Sequence, residues 1–293
     1  MKVQSLSIDV PTNKGICVNK CPFCCSRTHV GKYESLLLDD TKLAYGEKMF
    51  KRRLEFAKDE GVNNVILTGE IEPMQNMQYL KTFGHINWTL DNPFHWIEIQ
   101  TTGYGLNEKS LTVLSDAVGV STISLSVVDP FSSENNKKIV GLPQSTPELP
   151  DLTKLIKEMG FNLRISLNLT KHIEYVSFAT LFTHLKETLH ADQVTMRKLY
   201  ISPNNTEEDT WININQMEKG RYQELKAYIE SNGRPLELLP FGARKYACDG
   251  LTTVIDDDCM ASKITDKEDL KYLILRPNCK LYTRWDLKES LLF

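Results

Sequence analysis

Three thiols stand close together near the start of the chain, in Cys17-Val-Asn-Lys-Cys21-Pro-Phe-Cys24. A 4Fe-4S cube held by cysteine thiolates ordinarily uses four of them. A loop that offers three leaves one iron open, and an open iron is a position for a substrate. Gly15 and Pro22 bias the segment toward a turn, which lets the three side chains converge. The competing chemistry is a zinc knuckle built from Cys17, Cys21 and Cys24 with Cys25 or His29 as fourth ligand, because zinc takes four nitrogen or sulfur ligands. Against it, the usual zinc pattern matches one Cys-x2-4-Cys pair with a second further along.

Other residues suited to chemistry recur at the ends of short apolar runs. Such runs span Ser5 to Val10, Val65 to Leu67, Trp96 to Gln100, Ser121 to Val127, Asn162 to Leu169 and Gln193 to Leu199. The cysteine loop follows the first run, Thr68-Gly69-Glu70 the second and Thr101-Thr102-Gly103 the third. Ser124 and Ser126 share one face of the fourth, Asn168 comes late on the fifth, and Met196-Arg197-Lys198 lies on the sixth. Between the runs the spacing predicts helices: one opened by Asp39, Asp40 and Thr41 and closed at Gly61, then Leu111 to Ala117, Leu152 to Met159 before Gly160, and Tyr175 to Leu189. Strands alternating with helices imply a parallel sheet with right-handed crossovers. In α/β barrels the reacting groups sit at the C-terminal ends of strands. The expected fold is α/β, a partial (βα)6 TIM-like barrel over residues 1–202. A small C-terminal α+β extension, residues 203–293, would serve as a lid.

The cysteine loop, with aromatic Phe23 directly before Cys24, resembles the cluster loop of the radical S-adenosylmethionine (radical SAM) superfamily. That resemblance implies a 4Fe-4S cluster on Cys17, Cys21 and Cys24, S-adenosylmethionine chelated to the open iron, and Phe23 against the adenine. It also implies the partial barrel. Thr68, Gly69 and Glu70 resemble the family's Gly-Gly-Glu motif, which receives the cofactor's ammonium. The match has one glycine fewer, and Glu72-Pro73 offers a second register in which Glu72 is that glutamate; Glu70 is the favoured choice. Thr102 and Ser126 resemble positions that contact ribose and carboxylate, and Asn168 is placed to meet the ribose hydroxyls. Glu70 and Arg197 are the candidate catalytic residues, Arg197 as a bidentate holder of a carboxylate or phosphate. The implied activity is reductive cleavage of S-adenosylmethionine to a 5'-deoxyadenosyl radical that abstracts hydrogen from a nucleotide or a peptide. A flavodoxin- or ferredoxin-like protein would donate the electron. The alternative from another class is a zinc-stabilised binding module without catalysis.

In the extension, Tyr222 to Glu230 predicts a helix. Val254-Ile-Asp-Asp-Asp-Cys259 and Ile274-Leu-Arg-Pro-Asn-Cys279 echo one another as two hairpins would. Cys248, Cys259 and Cys279 are candidates for a second metal site or for buried thiols, and Cys25 is read as structural. The 293 residues carry a net charge of −3, which gives no general attraction to nucleic acid or an anionic membrane. No apolar run suits a membrane span or signal peptide. Four of seven cysteines crowd between Cys17 and Cys25, which suits metal chemistry in a reducing compartment, so the expected location is cytoplasmic.

Overall fold

The computed structural model describes residues 2–11, 16–29, 40–239, 243–257, 269–285 and 288–292. Six strands pair in chain order and run parallel: β1 (Lys2–Asp9), β2 (Asn64–Thr68), β3 (Trp96–Thr101), β4 (Thr122–Val127), β5 (Asn162–Asn168) and β6 (Gln193–Arg197). Helices return the chain from each strand end to the next strand start, as parallel pairing requires. They are α1 (Asp40–Asp59), α2 (Met77–Trp88), α3 (Glu108–Val113), α4 (Ser133–Val140), α5 (Leu149–Glu158) and α6 (Phe178–Thr183). The α/β partial barrel expected from the strand and helix periods is the architecture found.

Alternation along each strand separates the two faces. Leu6 and Ile8, Val65 and Leu67, Ile97 and Ile99, Ile123 and Leu125, Leu163 and Ile165, and Val194 and Met196 are buried in one core with Leu54, Phe83, Leu111, Leu152 and Leu181 of the helices. Each such aliphatic contributes about 1.5–3 kcal/mol on burial. The alternate residues, Gln100, Ser124, Ser126, Ser166, Asn168 and Arg197, line an interior cavity instead. Small and polar side chains on that face leave the lumen open toward the C-terminal strand ends.

Among the described residues beyond β6 are α7 (Glu207–Asn215), α8 (Lys219–Asn232) and five further strands, and these strands join both flanks of the same sheet. β7 (Arg234–Leu238), β8 (Arg244–Cys248) and β9 (Leu251–Asp256) form an antiparallel meander whose last strand pairs parallel with β6. β10 (Asp269–Leu275) pairs parallel with β1, and β11 (Leu281–Tyr282) folds back on it. Eight parallel strands thus run in the order β10-β1-β2-β3-β4-β5-β6-β9. The sheet curls far enough for Lys271 Nζ of β10 to reach Asp256 Oδ1 of β9 at 3.0 Å.

The hairpin expected around Cys279 is present, with Ile274 opposite Tyr282. The turn expected after Val254, at Cys259, lies outside the described residues; a separate hairpin joins β8 to β9 through Asp249-Gly250, where both residues have positive φ, 49° and 80°, as a tight Asp-Gly turn demands. α2, α4 and α7 were not expected from the apolar spacing.

Candidate active site

The cysteine loop follows β1 and is fastened from four directions. Val18 N–H donates to Gln75 Oε1 at 2.8 Å, and Gln75 Nε2 donates back to the Ile16 carbonyl at 3.1 Å. Lys20 N–H donates to the Val140 carbonyl at the end of α4, 2.9 Å. Gly141, at φ +80°, lets that helix end come so near that an added Cβ would lie 3.1 Å from Lys20 N. Asn204 Nδ2 donates to the Thr28 carbonyl at 2.7 Å, and the Phe23 ring meets Trp211 of α7 with centroids 5.7 Å apart.

The fourth fastening is Glu72, buried at the N-cap of a short 3-10 turn, Pro73–Asn76. Its carboxylate accepts from Thr101 Oγ1 at 2.7 Å, Thr102 N–H at 2.8 Å, Thr102 Oγ1 at 2.7 Å, Met74 N–H at 3.2 Å and Asn19 Nδ2 at 3.3 Å. Five donors fill the capacity of two carboxylate oxygens. Burial pushes the Glu72 carboxyl above its ordinary range, and the bonds from Thr101, Thr102 and Met74 pull it back down. Asn19, inside the cysteine loop, is thereby tied to the ends of β2 and β3.

Glu70 is placed differently. Its side chain is 28% exposed, Arg276 Nη1 donates to its Oε1 at 3.0 Å, and its backbone N–H donates to Asp9 Oδ1 at 3.2 Å. The preceding Gly69 is required by close approach, since a Cβ there would lie 2.7 Å from Asp9 Oδ1 and 2.9 Å from Val10 N.

One cavity of about 230 Å³ opens where these strand ends meet. Cys17, Cys21, Cys24, Phe23, Gly69, Glu70, Thr102, Ser126, Asn168 and Arg197 all line it. Thr68 stands one step back: its hydroxyl donates to Gln100 Oε1 at 3.3 Å and its carbonyl accepts from Val10 N–H at 2.7 Å. Asn168 Nδ2 donates to Ser126 Oγ at 3.1 Å, joining β5 to β4 at the cavity wall.

The donor set suits a metal cluster. None of Cys17, Cys21 and Cys24 is in a disulfide. Burial pushes the Cys17 and Cys21 thiols up, and the charges of neighbouring thiols push Cys21 further. Crowded, half-buried thiolates of this kind are stable with metal cations between them. Among the described residues, no three His, Cys, Asp or Glu side chains close on a point suited to a single ion; Cys17, Cys21 and Cys24 are all among the residues that line the cavity.

No family model and no curated protein sequence matches the chain. Solved structures do match it in shape. They include anSMEcpe with bound AdoMet, at 14% identity and TM-score 0.62, covering 99% of this chain and 77% of that one. A radical SAM methyltransferase from Sphaerobacter thermophilus matches at 16% identity and TM-score 0.54, covering 87% and 66%. The chain has the radical SAM fold. Streptococcus suis SuiB bound to precursor peptide SuiA matches at 18% identity and TM-score 0.52, covering 78% of this chain and 47% of SuiB. The chain therefore spans about half the length of SuiB.

On this radical SAM fold the second metal site is not supported. Cys248 pairs with Leu251 at the start of β9, whereas Cys279 follows the end of β10. Both strands run with the barrel, so the two thiols fall at opposite ends of the sheet. Cys248 is fully buried, with its thiol 3.8 Å from Asp249 Oδ2. Cys279 adopts a left-handed backbone, φ 56°, with its thiol directed to the Gly46 carbonyl at 3.6 Å.

Several site residues carry no sequence signal of their own. Asn19, Trp211 and Arg276 reach the site from 53 to 267 residues away along the chain from some of their partners. Ser124 and Ser166 share the cavity face of β4 and β5 with the expected Ser126 and Asn168, so period-two alternation identifies them once a neighbour is chosen.

Proposed function

We propose that the chain is a radical SAM enzyme in which Cys17, Cys21 and Cys24 hold a 4Fe-4S cluster and the adjoining strand ends hold S-adenosylmethionine. The observation that carries this reading is convergence: three thiols of one loop and the polar ends of β2 to β6 line a single cavity. The cluster, when bound, supplies one electron that splits the sulfonium into methionine and a 5'-deoxyadenosyl radical for hydrogen abstraction. Everything else is the work of this chain's residues. Glu70 accepts the cofactor's ammonium while Glu72, already carrying five donors, fixes the cysteine loop. Gly69 permits the approach of backbone to ligand, and Thr68 ties the strand end behind it. Thr102, Ser126 and Asn168 take the carboxylate and ribose, and Phe23 backs the adenine. Arg197, at the end of β6, holds a substrate anion by paired hydrogen bonds. Part of the segment 203–293 covers the loop, as the contacts of Asn204 and Trp211 support. Excluding water in this way protects a reactive species.

A peptide is the first substrate class to test, because two of the compared proteins were crystallised with peptides, SuiB with precursor peptide SuiA and anSMEcpe with the Cp18Cys peptide; nucleotides are the second. The electron donor is a flavodoxin- or ferredoxin-like protein. Anaerobic reconstitution with iron and sulfide, followed by dithionite and S-adenosylmethionine, yields 5'-deoxyadenosine on this account. A fully loaded protein that forms none would count decisively against it.

A further inference from the structure

β10, β1 and β2 lie side by side, and three charged residues follow one another across their ends: Arg276, Asp9 and Glu70. Arg276 is buried. Its Nη1 donates to Glu70 Oε1 at 3.0 Å and to Asp9 Oδ2 at 3.3 Å, and its Nη2 donates to the Trp285 carbonyl at 2.9 Å. The rings of Tyr282 and Trp285 each lie 5.4 Å from the guanidinium carbon. Asp9 in turn receives the Glu70 backbone N–H. The guanidinium is thus fixed by one carbonyl and two rings of the C-terminal hairpin, and it fixes a carboxylate 206 residues away in sequence.

Two carboxylates so close, with one of them out of water, repel each other. The Arg276 guanidinium lies against both of them. Of the two, Glu70 is the member that lines the cavity. Resting on the cofactor reading given above, we infer that Arg276 is the positioning residue for the ammonium subsite. It holds the Glu70 carboxylate in place for the α-ammonium of S-adenosylmethionine, so the last strands of the chain form part of the cofactor site. Lysine cannot substitute, because one ammonium point charge lacks the planar fork that spans Asp9, Glu70 and the Trp285 carbonyl together.

The test is equilibrium binding to the anaerobically reconstituted protein. Two ligands are compared: S-adenosylmethionine and its deaminated analogue, in which hydrogen replaces the α-ammonium. Arg276→Lys weakens S-adenosylmethionine by about tenfold or more, the scale of a charged hydrogen bond, and leaves the analogue's affinity unchanged. In a Glu70→Gln background, Arg276→Lys adds no further loss. If Arg276→Lys does not fold by circular dichroism, Arg276→Gln serves the same comparison. Equal weakening of both ligands marks a merely structural role and overturns the inference, as does no weakening of either. A wild-type protein that binds neither ligand refutes the cofactor reading itself, and the inference falls with it.

Discussion

Glu72 and Glu70, two residues apart, should answer differently to the same substitution. Glu72→Gln places an amide NH2 among five donors, so buried donors lose their acceptor at a cost on the order of 2 kcal/mol. Thermal melting should show the loss, and iron content after reconstitution should fall with it because the cysteine loop loses its tie to β3. Glu70→Gln should keep the iron and lower S-adenosylmethionine affinity. Asp9 supplies a pH test. It is held up from 3.8 to about 7 by burial first and by the Glu70 charge second, while Arg276 pulls it down; Tyr79 of α2 also faces it. A carboxyl raised in the folded state binds its proton more tightly there than in the unfolded chain, so stability falls as pH rises from about 4 to about 7 and then levels off. Urea titrations of the cluster-free protein should show that slope, and Asp9→Asn should flatten it. An unchanged slope would assign the titration to another group. At this scale the cysteine loop and the strand-end hydroxyls were legible because each is a local pattern. The Glu72 clamp and the Asp9–Arg276–Glu70 row were not, since their members meet only when distant segments fold together.

The elements meet most tightly where β2 ends against β1. Gly69→Ala must part the two strand ends, because the added carbon would press on Asp9 and on the Val10 backbone. Overpacking of this sort costs about 1–3 kcal/mol, and it should appear as a lower melting temperature together with weakened cofactor binding. A variant as stable as wild type would show that the strand ends are loosely joined. The strands themselves could be read from the sequence because buried aliphatics alternate with small polar residues along each. α4 could not, and the reason lies in its buried face: Asn136 and Lys137 are inside, Lys137 paired with Glu148 at 2.6 Å, so apolar spacing is missing. α7 likewise buries Asp209 with Ile212. α2 does repeat Leu80, Phe83 and Ile86, but the 3-10 turn before it blurs where the period begins.

Across the whole molecule, residues late in the chain flank the early barrel on both sides. The Lys271–Asp256 pair spans the resulting seam, with both side chains 13% exposed. Burial lowers the Lys271 pKa, but Tyr272 and Asp256 outweigh it and leave the ammonium held above its ordinary range. Its contribution to stability is therefore complete below pH 10.5 and is lost as pH rises through the folded value. Lys271→Ala takes the ammonium away from a mostly buried Asp256 carboxylate and should cost about 3 kcal/mol in urea unfolding, whereas the double change Lys271→Met with Asp256→Leu should recover much of it. Equal losses in the single and double variants would contradict a seam joined by this pair. The strand pairing of β9 with β6 and of β10 with β1 could not be read from the sequence, because a strand's own pattern does not name its neighbour. The claim on which all of this depends is an iron left open to S-adenosylmethionine, and electron paramagnetic resonance of the reduced, reconstituted protein tests it most directly. Adding S-adenosylmethionine should shift the signal of the reduced 4Fe-4S cluster; a signal that stays the same at saturating ligand would contradict the account.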